Sequence, residues 1–429
     1  MLLLNNLNDY PENSIEHFYV IQDEYEVIEG DLLQVKLDGF QEKDFSLFND
    51  NNPLEVYEKI STYRFTIELS GNLAAEWKRR YKINFNARRW LKIHLTDTPT
   101  NIQVNQIQVD FQADSEAEAI TRYIADIDFL PPRGSTYQQL KRAVAWDDIP
   151  LASTAQIEAA LNRFAHEDVF VNIYNVGQGS LGAIVNSNNT PLAYLDLGGG
   201  FKFNKFTYPT TLRLCHTEAS TVIISHWDFD HLETAIRYNR TGWNNTRKYE
   251  WIVPQQQLTP TYKKLAKHIQ KTATLLVWPT WLKKVKVGNC EIVKCNGPDK
   301  NHSGLAVIVN SKKSEIKKVL YPGDAAYKYL PKRATKDVDG LVATHHGANF
   351  DDNNSPIPLA KKGAIVYSYG SGTRYGHPKA AAVDAHLTSG WNNRLDTING
   401  NISFNKSKSP CHNTECEQAH CDLHISQMF

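Results

Sequence analysis

The stretch Ser220-Thr-Val-Ile-Ile-Ser-His-Trp-Asp-Phe-Asp-His-Leu232 decides how this chain is read. Thr221 to Ile224 is a short β-branched and apolar run of the kind that forms a buried strand. Leu232 to Tyr238 has the pattern of a helix. Between them His226, Asp228, Asp230 and His231 crowd a short loop at a strand's end and a helix's start. Alternate side chains on such a loop turn toward one cavity, while Trp227 and Phe229 turn toward packing. Imidazole suits borderline metals such as zinc and carboxylate suits harder ones such as manganese, so the mixed set fits a dinuclear metal centre. The competing reading is a polar loop in which Asp230 caps the following helix.

Three later strands weigh against that plainer reading, because each ends in the same chemistry. They are Val319-Leu-Tyr-Pro-Gly-Asp324, Leu341-Val-Ala-Thr-His345-His346-Gly347 and Tyr367-Ser-Tyr-Gly-Ser-Gly-Thr-Arg374-Tyr-Gly-His377-Pro378. Singly, a Gly-Asp pair is a turn and a His-Pro pair is the start of a helix. Strand ends that all carry ligand side chains form the pattern of one convergent site.

Working outward, apolar strands at 169–176, 181–186, 192–195 and 221–225 alternate with Gly turns and helices. More follow at 251–253, 305–309, 318–321, 341–344 and 364–368, which predicts a layered α/β domain over 167–429. Residues 1–114 alternate in strand fashion, as in His17-Phe-Tyr-Val-Ile-Gln22, and read as a β-rich module. Residues 115–166 read as a helical connector, with helices near 115–127, 137–146 and 155–165 and a break at Leu130-Pro-Pro-Arg-Gly134. A chain of 429 residues is long enough for two cores.

Lys plus Arg and Asp plus Glu both total 47, so net charge decides nothing about a polyanionic partner. Six scattered cysteines are too few for a disulfide framework and point to a reducing compartment. Met1 to Leu4 lacks the basic flank and long apolar core of a signal peptide. No apolar run reaches the ~18 residues of a membrane span. The expectation is a cytoplasmic protein with no membrane partner; no feature of the sequence marks an oligomeric state.

The span from Val169 to Phe404 resembles the metallo-β-lactamase fold hydrolases and, within them, the soluble nuclease-like domain of the competence protein ComEC. The marks are Asn175-Val-Gly-Gln-Gly179, Leu195-Asp-Leu-Gly-Gly-Gly200, the His226 to His231 motif, Gly323-Asp324, His345-His346-Gly347 and Tyr375-Gly-His377-Pro378. Most of the wider family has His where Asp228 stands, and the ComEC-like branch has Asp. The resemblance implies an αββα sandwich, here preceded by the β-rich and helical amino-terminal region, and two divalent ions, zinc or manganese. It implies His226 and Asp228 on one ion, Asp230 and His231 on the other, and Asp324 bridging. His345 or His346, together with His377, would complete the shells. His302, in Asn301-His-Ser-Gly304, is either the family's third-motif ligand or an exposed loop histidine. Ser180, Thr373, Glu233 and Thr234 depart from the family pattern, and bear on substrate more than on metal.

Two ions a few ångströms apart lower the pKa of a bound water from about 15.7 toward 7, so the expected activity is hydrolysis by a metal-bound hydroxide. A phosphodiesterase or nuclease is the leading reading, with Asp230 orienting the nucleophile and Arg374 or His377 neutralising the leaving side. The rivals are a hydrolase of another ester, amide or cyclic nucleotide on the same fold, and a metal-stabilised binding or sensor module. A nucleic-acid partner would meet two basic stretches interleaved with aromatics. One holds Lys78, Arg79, Arg80, Arg88 and Arg89 between Trp77 and Trp90. The other holds Lys263, Lys264, Lys267, Lys283 and Lys284 among Tyr262, Trp278 and Trp281. The plainer reading is solvated lysines and core tryptophans. In the tail, Cys411, Cys416, Cys421 and His424 are either ligands of an additional structural zinc or surface groups. The resemblance further implies a part in bacterial defence or DNA processing.

Overall fold

Phe18 and Val20, Val35 and Leu37, and Phe65 and Ile67 are pairs two residues apart, the period that puts both side chains on one face of a strand. In the computed structural model all six lie in one buried cluster. It describes residues 14–50, 53–81, 88–109, 119–164, 166, 168–200, 202–210, 212–236, 248–350, 355–359, 363–405, 423 and 425–429. The strands β1 (Ile15–Ile28), β2 (Leu32–Gln41), β3 (Thr62–Leu69), β4 (Trp90–Thr96), β5 (Gln103–Val109) and β6 (Ile120–Phe129) close into a barrel. Their order is β1-β2-β3-β5-β6-β4, with antiparallel neighbours throughout.

The helix expected near 115–127 is, from Ile120 onward, the strand that completes this barrel. β6 pairs with both β4 and β5, and Ile124 and Ile127 fill the core. Two ladders of hydrogen bonds and burial outweigh the helix propensity of the Ala/Glu-rich run before it. The later helices form at Ser135–Ala143 and Thr154–Asn162. The second starts on a capping box, with Ser153 and Gln156 each satisfying the other's backbone N–H.

Residues 1–148 and 257–271 form one compact unit, and 149–256 and 272–429 the other. The helix Pro260–Thr272 belongs, through Lys271, with the barrel. Its Thr261 N–H donates to Asp38 Oδ1 at 2.9 Å, and its Tyr262 hydroxyl lies 3.2 Å from Asp23 Oδ2. Arg64 neutralises both carboxylates, 2.9 Å from Asp23 and 3.7 Å from Asp38, with all three side chains buried.

The second unit has two mixed sheets. The first contains β7 (Phe170–Ile173), β8 (Gly182–Val185), β9 (Pro191–Leu195), β10 (Thr221–Ile223), β11 (Glu250–Pro254) and β12 (Thr274–Trp278). The second contains β13 (Lys284–Val287), β14 (Cys290–Lys294), β15 (Leu305–Asn310), β16 (Lys318–Tyr321), β17 (Gly340–Val342), β18 (Ala364–Tyr367) and β19 (Asn393–Asp396). The chain then returns to the first sheet with β20 (Asn401–Ser403) and β21 (Ile425–Met428), giving the order β12-β11-β10-β9-β8-β7-β20-β21.

Side chains from both sheets share one apolar core, including Ile173, Leu195 and Ile252 from one and Ile292, Val307 and Val342 from the other. The helix Ala380–Thr388 lays Val383 against a separate cluster with Ile365, Tyr367 and Trp391. This is the layered α/β sandwich expected. Among the described residues no helix is long and apolar enough to cross a membrane.

Strands β9 to β12 run parallel, as do β16 to β19. Their carboxyl ends therefore open onto the loops that carry Asp196, the His226 to His231 motif, Asp324, His345 and His346, the usual place for a site in such sheets.

Candidate metal centre

Asp196 follows directly on β9 and is wholly buried with φ +57. A non-glycine residue in the left-handed region is held only where its surroundings over-determine it. Here the surroundings are four donors. Asp196 Oδ1 accepts from Ser225 N at 2.6 Å, and Oδ2 accepts from Ser225 Oγ at 2.8 Å, Tyr321 OH at 2.9 Å and His231 Nδ1 at 2.7 Å. Ser180 joins this network through Tyr321, hydroxyl to hydroxyl at 2.6 Å. Ser180 thus buttresses the site.

The network sets how the first two histidines present themselves. Ser225 Oγ gives its proton to Asp196, so it accepts from His226 Nδ1 at 3.0 Å and leaves the Nε2 lone pair of His226 on the other side. Asp196 likewise takes the Nδ1 proton of His231 and turns Nε2 toward Asp324 Oδ1, 3.0 Å away. His226 Nε2 lies 3.7 Å from Asp324 Oδ2 and His345 Nε2 3.4 Å from the same atom. Both His226 Nε2 and His231 Nε2 are buried without a hydrogen bond among the described residues. Orphaned lone pairs aimed at a carboxylate fit a cation better than any purely structural purpose.

His346 repeats the arrangement. Its Nδ1 donates to Ser368 O at 2.8 Å, so the neutral ring turns a lone pair on Nε2 toward Asp230 Oδ2 at 3.1 Å. Two acceptors that close require a proton or a metal ion between them. His345 and His346 have φ +47 and +56, a local strain that brings consecutive imidazoles to one cavity. Gly198 lets the backbones meet, since a Cβ there would lie 1.7 Å from Asp230 O.

Electrostatics sharpen the picture. Burial and the neighbouring His231 push His226 down to about 4, so its ring is neutral and ready to coordinate. Burial opposes a charge on His231, but Asp324 and Asp196 outweigh it and hold its pKa well above the ordinary value. Burial would raise Asp324, yet His231, His345 and His226 hold it well below the usual carboxylate range. Asp230 is lowered as well, by the His346 bond and by His231 against its own desolvation. Among the described residues, two groups have donor atoms close enough to share one ion: His226, His231 and Asp324, and Asp230, His231 and His346.

The other expected residues fall outside these groups. Asp228 is buried, but its Oδ1 accepts from Phe229 N at 2.8 Å and its Oδ2 lies 3.1 Å from Lys300 Nζ. His302 turns out to be the loop histidine of the two alternatives: Nδ1 sits 2.7 Å from Asp299 Oδ2 and the ring packs on Tyr329. His377 flanks the cluster, its ring 5.8 Å from that of His345 and 6.2 Å from that of His346. Gln178 Oε1 faces the donors Gly370 N and Thr373 Oγ1, so its Nε2 donates to His377 Nδ1 at 3.2 Å. Arg374 is exposed on the same loop. Lys300, Gln178 and Ser225 carry no metal-ligand signature and stood out only by their contacts.

The basic stretches mostly resolve as packing. Lys263 is buried and paired with Asp148, Lys267 lies 2.8 Å from the same carboxylate, and Lys264 donates to Ile60 O at 2.8 Å. Arg88 bonds Gln257 O at 2.6 Å and lies 3.4 Å from Asp23 Oδ1. Trp77, Trp90, Tyr262 and Trp278 are core residues. These cations are held by carbonyls and carboxylates of the protein itself, a different role from the phosphate contacts expected of them. Arg79, Arg89, Lys283 and Lys284 are exposed, as is Trp281. The side chains of Lys78 and Arg80, and residues Cys411, Cys416, Cys421 and His424, lie outside the described residues.

No protein-family model matches the chain, and no curated protein does. Solved structures similar to it include a motif mutant of a metallo-β-lactamase from Cronobacter sakazakii, at 12% identity over 39% of this chain and 75% of that one, TM-score 0.25. The metallo-β-lactamase GOB-18 of Elizabethkingia meningoseptica is 15% identical over 38% and 61%, TM-score 0.24. A class B3 di-zinc metallo-β-lactamase from an Alaskan soil metagenome is 9% identical over 38% and 62%, TM-score 0.23. The sandwich and the ligand cluster rest on this chain's own strands and side chains.

Proposed function

We propose that this chain is a divalent-metal-dependent hydrolase of phosphodiesters, with nucleic acid as the leading substrate. The observation supporting this is the convergence of the Nε2 atoms of His226, His231 and His346 on Asp324 and Asp230 at strand ends of both sheets. Zinc or manganese would be held by His231, Asp324, Asp230 and His346, with His226 and His345 beside them. When bound, such an ion polarises the scissile group and activates water near neutral pH.

The chain's own residues supply the rest. His226, His231, Asp324 and His346 form a buried floor that excludes bulk water. Asp230 and His345 keep 28% and 23% of their side-chain surface exposed, so substrate and the attacking water approach on their side. Asp230 is the candidate to orient that water. His377, with Nδ1 accepting from Gln178, carries its neutral-form proton on Nε2 and is the donor to the leaving oxygen. Arg374 meets the charge on the phosphate.

Asp228 at the third motif position supports the ComEC-like branch, and with it a cytoplasmic part in defence or DNA processing. Exposed Trp281 with Lys283 and Lys284 supports contact with a nucleic acid. The burial of Lys263 and Lys267 favours a second reading, in which the same centre cleaves a small phosphodiester such as a cyclic nucleotide.

The test offers the protein, with manganese or zinc, single-stranded DNA, duplex DNA, RNA and a generic phosphodiester. Binding that weakens steeply with salt favours the polymer, and salt-insensitive cleavage of the small diester alone favours the second reading. Asp230→Ala is expected to lower turnover by more than about a hundredfold; a near-normal rate removes Asp230 from the mechanism, and no cleavage by the wild type with either metal sinks the hydrolase.

A further inference from the structure

We infer that the centre takes one divalent ion, and that the ammonium of Lys300 occupies the second cationic position, at Asp228. The inference rests on the metal reading above and narrows it. Lys300 Nζ lies 3.1 Å from Asp228 Oδ2, and the two side chains are only 3% and 5% exposed. The other oxygen of Asp228 accepts from Phe229 N at 2.8 Å, so both are engaged within the protein. A dication on the same buried carboxylate would face a fixed positive charge with little water to screen it.

The ammonium is also built in. Gln256 Nε2 donates to Lys300 O at 2.6 Å and lies 3.0 Å from Ser303 Oγ, while Gln256 Oε1 accepts from Trp227 N at 3.3 Å. One buried amide therefore ties the Lys300 loop to the residue next to Asp228.

Two independent observations agree. His302, which the sequence left as either a third-motif ligand or a loop histidine, is turned to Asp299 and Tyr329. His231 belongs to both candidate donor groups, yet its Nδ1 is committed to Asp196 and the single lone pair on Nε2 serves one ion. With His231 given to the ion of Asp230 and His346, the first group keeps His226 and Asp324, with His345 Nε2 3.4 Å from the same carboxylate, and Asp228, the remaining acidic group of the motif, is taken by Lys300.

Counting bound manganese tests this, because thiolates of the Cys-containing tail hold manganese poorly. Chelator-stripped full-length protein is saturated with Mn²⁺, desalted, and measured by elemental analysis and calorimetric titration. One ion per chain is expected for the wild type and for Lys300→Arg, two for Lys300→Met, and none for His231→Ala. Lys300→Gln replaces Lys300→Met if the latter melts early. Two ions in the wild type, or a count unchanged by loss of the lysine, overturns the inference and leaves the metal reading standing. A wild type that binds none overturns both.

Discussion

His231 has a carboxylate on either side, Asp196 taking its Nδ1 proton and Asp324 facing Nε2. Its affinity for an ion therefore depends on a residue that never touches that ion. Asp196→Asn removes the acceptor charge and disturbs four donors at once, so metal affinity is expected to fall about 10- to 100-fold. A manganese titration of the variant checks this, and unchanged affinity would show that the Asp196 network only supports the loop. The ligand candidates were legible as residues because His and Asp declare their chemistry by type. Lys300 and Gln256 were not, because a lysine and a glutamine in a polar loop look like solvated surface until another loop closes over them.

Among the elements, the helix Ala380–Thr388 is pinned to the second sheet by His386. Its Nε2 lies 2.8 Å from Tyr327 OH and its Nδ1 2.7 Å from Tyr367 OH. Burial in this pair holds the imidazole down to about 4, from an ordinary 6.5. A depressed folded-state pKa contributes stability that is full above pH 6.5 and is lost as pH falls through about 4. The loss is on the order of 3 kcal/mol at most. Urea unfolding of the wild type against His386→Gln from about pH 7 down to pH 4 measures it; parallel profiles would refute it. Strands ending in ligands were readable from apolar runs broken by Gly, since that pattern is local. Strand β6 was not, because its ladders to β4 and β5 join residues 14 to 38 apart and override a helix-favouring composition.

At the scale of the whole molecule, the ligands come from separate loops spread between His226 and His346, so an ion binds the folded second unit and not the unfolded chain. Manganese at about 100 times its Kd is expected to add about 2.7 kcal/mol. The second unit's melting transition should rise by several degrees. His231→Ala should abolish the rise in differential scanning calorimetry, and an equal rise in that variant would place the ion elsewhere. The amino-acid sequence alone determined the α/β class of the second unit, the β-rich character of the first, and the ligand types at four strand ends, because periodicity and side-chain chemistry are local properties. Only the folded chain decided which of those ligands face one another, that Asp228 answers to Lys300, and that Lys263 and Lys267 are buried with Asp148. A side chain's partner is fixed by loops that meet in space, and no local pattern records which loops those are.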